Sequence, residues 1–318
     1  GCDGIQELAT ARRTVDLPGI AGSIAVPADG RTWLVSLPAE FAVALIGAES
    51  GAVLRTATLG PASRPWAVAI VDTARKAYVT LPDSNEVAVI DMDTLTVTAK
   101  LAVSGHPTSI VVDQSTAVVY VASIGEPGAR GNWAAGSISM IDANTDRMIQ
   151  QIGVNGNPTG LALSALSQTV YAPLLLRGGG TVVARISAFD GRMVGTSEVS
   201  ADGGAVDARG SIVYVGNVGS KSAAVYGDIT KLDARDGTRL GQWTGMFNPE
   251  SLLAVPGDRL LVANRNAAWV TVISSSSGVA LNCISTKGRA VSIAFDPTGG
   301  RVLIAEGDRP SLLDVAWR

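Results

Sequence analysis

One phrase recurs along this chain at a near-constant interval. "AYVTLPDSNEVAVIDMDTLTVTAKL" (77–101) returns in altered form as "VVYVAS…GSISMIDANTDRMIQQI" from Val118 and as "DRLLVANRNAAWVTVISSSSGVALNCI" from Asp258. Each unit opens on a proline or a small residue: Pro18, Pro65, Pro107, Pro158, Gly204, Pro249 and Ala290. The openings lie 41 to 51 residues apart. A mean near 45 residues is the length of one four-stranded propeller blade. Within a unit the order holds. Blade two runs "WAVAIVD", "KAYVTL", "EVAVID" and "TAKLAV" as strands a to d, and blades three and six repeat the sequence of elements. Strands b and c carry the alternation of half-buried strands and strand a is more uniformly apolar. No amphipathic helical stretch competes.

Seven openings predict an all-β, seven-bladed β-propeller of four-stranded blades, in one domain over 1–318. The last blade is short: after Pro310 only "SLLDVAWR" remains, enough for strand c and no strand d. Ahead of the first opening stands one lone strand, "IQELATARRTVDL". Residues 6–17 are therefore expected to close the blade formed by 290–318, because an open blade leaves an edge that must be covered.

Composition narrows the function classes. Of 318 residues 47% are hydrophobic and 17% charged, and 25 Lys and Arg are outnumbered by 28 acids, so no basic patch suits nucleic acid. No apolar run reaches the length of a membrane-spanning helix. The two cysteines, Cys2 and Cys283, rule out a disulfide-dense scaffold and form no haem or Cys-x-x-Cys motif. Gly-Cys at the start resembles a bacterial lipoprotein terminus, with 1–5 as the tail and Cys2 lipidated. An arbitrary chain boundary or a Cys2–Cys283 disulfide are the alternatives, and Cys283, in "VALNCIS", reads as a buried small hydrophobe.

Tyr78-Val79-Thr80, Val89-Ile90-Asp91 and Gly105-His106-Pro107 resemble the pattern of the YVTN-repeat β-propeller family, as do Tyr120-Val121, Ile141-Asp142 and Gly156-Asn157-Pro158. Tyr214-Val215-Gly216-Asn217 and Val262-Ala263-Asn264 match in part, while blades one, four and seven depart from it. The resemblance covers nearly the full chain and implies an extracytoplasmic propeller of the surface-layer kind. It implies no activity, because such scaffolds serve binding proteins and some enzymes alike.

In a propeller the loops entering strand a and the b–c loops share one face. There the reading gathers Arg64, His106, Arg130, Trp133, Arg177, Lys221, Arg265 and Arg289 as candidate ligand or partner contacts, since recognition concentrates on loops of a rigid scaffold. Asn157 and Asn248 precede prolines and read as turn formers that satisfy local amides. Insertions mark three adjacent blades: "IGEPGARGNWAAG" in blade three, "LLLRGGGTVVAR" in blade four and "VGSKSAAVYGD" in blade five. They are expected to raise a wall holding Arg130, Trp133, Arg177, Lys221 and Tyr226. An aromatic ring beside guanidinium groups suits an anionic or aromatic ligand, or a protein hot spot. Simple loop drift is the structural alternative. Trp133 should be at least partly exposed.

The leading expectation is a non-catalytic, extracytoplasmic binding module (periplasmic or at the cell surface), with a protein or small-molecule partner and no metal, cofactor or nucleic acid. The second is an enzyme at the channel mouth, a lyase, lactone hydrolase or isomerase. There His106, the one histidine, would act as general base, with Glu126 or Asp83 as its acid partner. A carboxylate within reach of His106 in a deep pocket would favour the enzyme; an open face with an exposed Trp would favour the module.

Overall fold

The computed structural model describes residues 4–8, 12–128, 133–199, 203–217, 227–265 and 267–317. Among them, helix is confined to two three-residue 3-10 turns, Pro38–Glu40 and Pro82–Ser84. Strand β1 (Arg12–Asp16) comes first. Blade one is β2 (Ile24–Ala25), β3 (Thr32–Leu37), β4 (Ala42–Gly47) and β5 (Val53–Thr58). Blade two is β6 (Val68–Val71), β7 (Lys76–Leu81), β8 (Glu86–Asp91) and β9 (Thr96–Ala102). Blade three is β10 (His106–Asp113), β11 (Val118–Ile124), β12 (Ser137–Asp142) and β13 (Arg147–Gly153). In blade four strand a is broken into β14 (Asn157–Pro158) and β15 (Ala162–Ser164), followed by β16 (Thr169–Leu175), β17 (Thr181–Ser187) and β18 (Met193–Glu198). Blade five is β19 (Gly203–Arg209), β20 (Ile212–Asn217), β21 (Gly227–Asp233) and β22 (Arg239–Phe247). Blade six is β23 (Pro249–Val255), β24 (Arg259–Asn264), β25 (Trp269–Ser274) and β26 (Ala280–Ser285). Blade seven is β27 (Ala290–Asp296), β28 (Arg301–Glu306) and β29 (Ser311–Ala316), completed by β1. The fold is a seven-bladed β-propeller. Its strands group into two compact units, residues 1–100 with 253–318 and residues 101–252, the divisions falling at β9 and β23.

The first strand does close the last blade, but over a shorter stretch than the expected 6–17. β1 spans Arg12–Asp16, and residues 6–8 pair with blade six instead, where Cys283 presents its backbone amide and carbonyl at the edge of β26. In the first unit β1 pairs antiparallel with β29 over its full length, Arg12 opposite Val315 and Asp16 opposite Ser311. Side chains reinforce the ladder. Arg13 donates to buried Asp314 at 2.8 Å and to the Ala48 and Glu49 carbonyls of blade one at 2.7 and 2.6 Å, while Arg301 donates to the same carboxylate at 2.8 Å. One guanidinium thus ties the closing strand to two blades.

The periodicity of strands b and c differs from expectation. β3, β7 and β11 are buried almost throughout, strict alternation appears instead in β9, a strand d, and the d strands β5 and β13 are mostly exposed. The cause is stacking. In blade one Trp33 and Val35 enter a core shared with blade seven, while Leu34 enters one shared with blade two. In the second unit Val170 and Ala172 face blade three and Tyr171 faces blade five. A strand sandwiched between two neighbours must be apolar on both faces; strand d lies at the solvent edge.

The repeated motif residues hold this stacking together. The Tyr120 hydroxyl donates to the Ala188 carbonyl of blade four at 2.6 Å, and Tyr171 donates to Ala234 of blade five at 3.0 Å. Burial, and secondarily the charge of Asp113, push the Tyr120 hydroxyl well above the usual phenol range. Asp91 and Asp142 end their c strands and accept backbone amides two residues on, from Asp93 and Asn144, closing Asx turns. Gly105 sits at φ 74°, and a Cβ there would meet the Ile124 carbonyl oxygen at 2.1 Å. Only glycine fits where the chain enters β10.

A second tether joins the N-terminal segment to blade six. The Cys283 amide donates to the Gln6 carbonyl at 3.0 Å, and the Leu8 amide donates to the Cys283 carbonyl at 2.7 Å, with Glu7 bridged to Cys283 in parallel sense. Cys283 is buried, as read, but it is disulfide-bonded rather than a free thiol packed as a small hydrophobe. Cys2 lies outside the described residues.

Candidate functional site

The b–c connection of blade three supplies the site. Residues leaving β11 at Ile124 fold back on themselves before β12: Pro127 bridges Trp133, and the Ala134 amide donates to the Glu126 carbonyl at 2.8 Å. The base of this loop is tight. A Cβ on Gly125 would lie 2.1 Å from the Ala134 carbonyl oxygen, so glycine is required there. Asn157, at the start of blade four, accepts the Gly125 amide at 2.9 Å through its side-chain oxygen. Its role is therefore a link 32 residues back along the chain, not the local turn that Asn-Pro suggested. Gly136 donates to the Gly156 carbonyl at 2.9 Å, a second stitch between the same segments.

Trp133 emerges from this base 46% exposed, as the sequence led us to expect. Behind it stands His106, whose ring meets the indole edge-on with centroids 6.2 Å apart and planes at 74°. His106 Nε2 in turn lies 3.4 Å from Glu126 Oε2. Glu126, His106 and Trp133 form a short row that restricts the indole from one side, an aromatic contact of the T-shaped kind.

The blade-four insertion forms the opposite side. Its extra residues lengthen β16 and β17 into a hairpin whose turn is closed by Leu176 donating to Gly180 at 3.0 Å. Between the two loops runs a cleft of about 300 Å³, lined by Trp133, Ala134, Ala135, Asn155, Gly156, Asn157, Leu175, Leu176 and Arg177. Leu175 and Arg177 are exposed along it. Among the described residues no acidic side chain lines it.

The remaining sequence candidates fall elsewhere. Arg130 and Lys221 lie outside the described residues, as do Tyr226 and most of the blade-five insertion. Asp83 is 3.7 Å from Arg64 Nε in the first unit, so this pair is mutually engaged and Glu126 is the carboxylate that meets His106. Arg265 is exposed at the end of β24. Arg289 is half-buried, its amide donating to Asp308 at 3.1 Å. Asn155, Leu175 and Leu176 were missed. Leu175 and Leu176 open the insertion already marked in blade four but, being apolar, read as core, and Asn155 lies in the short connection before Gly156-Asn157-Pro158.

Several polar loop residues prove to be stitches of the scaffold. Ser36 donates to the Trp66 carbonyl at 2.5 Å, Thr80 accepts the Ala67 amide at 2.9 Å, and buried Glu306 accepts the Lys287 and Gly288 amides at 2.6 and 2.8 Å. These residues end strand b in their blades and hold the chain that approaches strand a. A second cleft, about 350 Å³, lies in the first unit among Asp29, Arg31, Asp72 and Arg75 over Leu45, Ile70 and Met92. Most of its charges are already engaged: Arg75 pairs with Asp93, Asp72 accepts the Ala28 amide and Asp29 the Arg31 amide. Among the described residues no cluster of three or more His, Cys, Asp or Glu side chains could hold a metal ion.

Solved structures share this architecture. A chain of the Kuenenia stuttgartiensis hydrazine synthase is 19% identical, with 96% of this chain and 97% of that one covered at a TM-score of 0.79. A chain of the mitotic checkpoint complex is 18% identical, with 98% and 94% covered at 0.78. The likeness is one of fold. No protein-family model matches the sequence, and no curated protein matches it.

Proposed function

We propose that this chain is a propeller binding module whose recognition site is the cleft between the b–c loops of blades three and four. The observation that carries the reading is Trp133, half-exposed on a loop whose base is pinned by Gly125, Asn157 and Gly136. A large aromatic side chain left in solvent by a rigid frame contributes contact area at little ordering cost. The motifs of blades two and three support kinship with YVTN-repeat propellers, and the fold's occurrence in the mitotic checkpoint complex is in keeping with a protein partner. The disulfide at Cys283 supports an extracytoplasmic setting, since such bonds persist in oxidising compartments. A Cys2 engaged in that bond is not available for a lipid thioether; mass spectrometry of the native N-terminus separates the two states.

The test is a thermal-shift screen of a small-molecule and peptide library on the wild type, Trp133→Ala and Arg177→Ala. Binders that raise the wild-type Tm and lose that effect in both variants support the reading. Binders indifferent to both variants exclude this cleft.

An enzyme at the same face is the second reading, favoured by His106 lying 3.4 Å from Glu126, a base and carboxylate within proton-transfer reach once drawn together. Turnover of a cleft ligand that vanishes in His106→Ala while binding persists would favour the enzyme.

A further inference from the structure

The charge and shape of the blade-three/four cleft narrow what it can hold. Among the described residues its lining carries one formal charge, Arg177, and no carboxylate. Among the described residues Arg177 makes no hydrogen bond or ion pair, unlike Arg13, Arg64, Arg75 and Arg301, each of which is met by an acid. Glu126, the acid next to the cleft, faces His106. Asn155 is exposed in the lining and is likewise without a partner among the described residues, leaving its amide to a ligand. The apolar share comes mainly from Trp133 and Leu175, 46% and 41% exposed, with Leu176 also in the lining.

From these features, and resting on the cleft's being the recognition site, we propose that it binds a small organic carboxylate with a flat, apolar body. The body lies against Trp133 and Leu175, and the carboxylate takes the fork of Arg177, with Asn155 as an additional donor. A guanidinium presents paired N–H groups that match a carboxylate, and an aromatic face gains most from a flat apolar partner. About 300 Å³ is at the small end of ligand sites, which suits a one- or two-ring molecule better than a nucleotide. A neutral isostere leaves the guanidinium with only solvent to answer it, so the site should discriminate by charge. The second cleft of similar size, over Leu45 and Met92, offers a contrast, because it carries acids as well as bases: Arg75 is paired with Asp93, and Asp72 and Asp29 accept backbone amides.

The probes are indole-3-acetate, its neutral amide indole-3-acetamide, and tryptamine, titrated calorimetrically into the full chain at low and at physiological salt. The wild type should bind the acid at least about tenfold tighter than the amide, and tryptamine not measurably. Salt should weaken the acid and leave the amide unchanged, because only the charged contact is screened. Arg177→Gln should bring the acid down to the amide's affinity while leaving the amide's own; Trp133→Ala should weaken both. Circular dichroism of each variant checks the fold. Equal binding of acid and amide by the wild type, or an Arg177→Gln effect equal on both, overturns the carboxylate assignment, as does failure of all three probes to bind. If library ligands then still depend on Trp133, the cleft stands as the recognition site and only its ligand class falls. If none do, both readings fall.

Discussion

Tyr120 shows what one side chain of the repeat does. It is fully buried, and its hydroxyl crosses to the carbonyl of Ala188 in the next blade. Tyr120→Phe should cost about 1–2 kcal/mol, because a buried carbonyl loses its donor, measured as a lowered urea midpoint with unchanged slope. The pH dependence has a definite sign. Its folded-state pKa is raised by burial, whereas an unfolded tyrosine titrates near 10. The stabilisation is therefore fully present below about pH 10 and is lost as the pH rises from there toward the folded-state value. A wild type that loses stability above pH 10 no faster than Tyr120→Phe would contradict this account. Trp133 is the opposite case: similar in size, held out in solvent, and in a position that sequence could mark as exposed because it stands in an insertion. Arg177 was legible for the same reason. Asn157 was misjudged, because an Asn-Pro dipeptide does not reveal that its acceptor serves a loop of another blade.

Among the strands, β1 bears more than its length suggests. Five residues pair with β29, Val15 enters the core shared by blades seven and one, and Arg13 reaches Asp314 and two carbonyls of blade one. Val15→Asp places a charge at a 2%-exposed position. It should destabilise by roughly 3 kcal/mol or more, since an unpaired buried charge adds its desolvation to the lost apolar contact. Urea melting decides: loss under about 1 kcal/mol would mean that β1 is peripheral to closure. The strand pattern also explains where the periodicity was misjudged. Alternation in β7 and β11 sends neighbours to different blades, both apolar, so a two-faced burial looks like ordinary half-burial until the flanking sheets are in view.

For the chain taken entire, seven sheets leave the two termini to be fastened, and two independent fastenings are present in the first unit: β1 on β29, and residues 6–8 along β26. Cys283, which anchors the second through its backbone, is itself disulfide-bonded. Within this sequence it has a single candidate partner, Cys2, and such a pairing closes a loop of nearly the full chain. A covalent closure of that size removes several kcal/mol of unfolded-state entropy in the chain-entropy account, about 4–5 kcal/mol for loops of a hundred residues. Cys283→Ser, or reduction with dithiothreitol, should therefore lower the Tm by several degrees. An unchanged Tm on reduction would show that the bond adds nothing to β1 and residues 6–8.

Period and composition settled the blade count and the presence of a closing strand, because each follows from local pattern: strand length, turn chemistry and a lone strand with nowhere else to pair. Two loop residues of the cleft, Trp133 and Arg177, were legible for the same local reason. Which carboxylate meets His106, which asparagine pins the Trp133 loop and which side chains face each other across the cleft depended on the stacking of one sheet on the next. Those contacts join residues tens of positions apart through side-chain geometry, and a one-dimensional pattern carries no record of which faces meet.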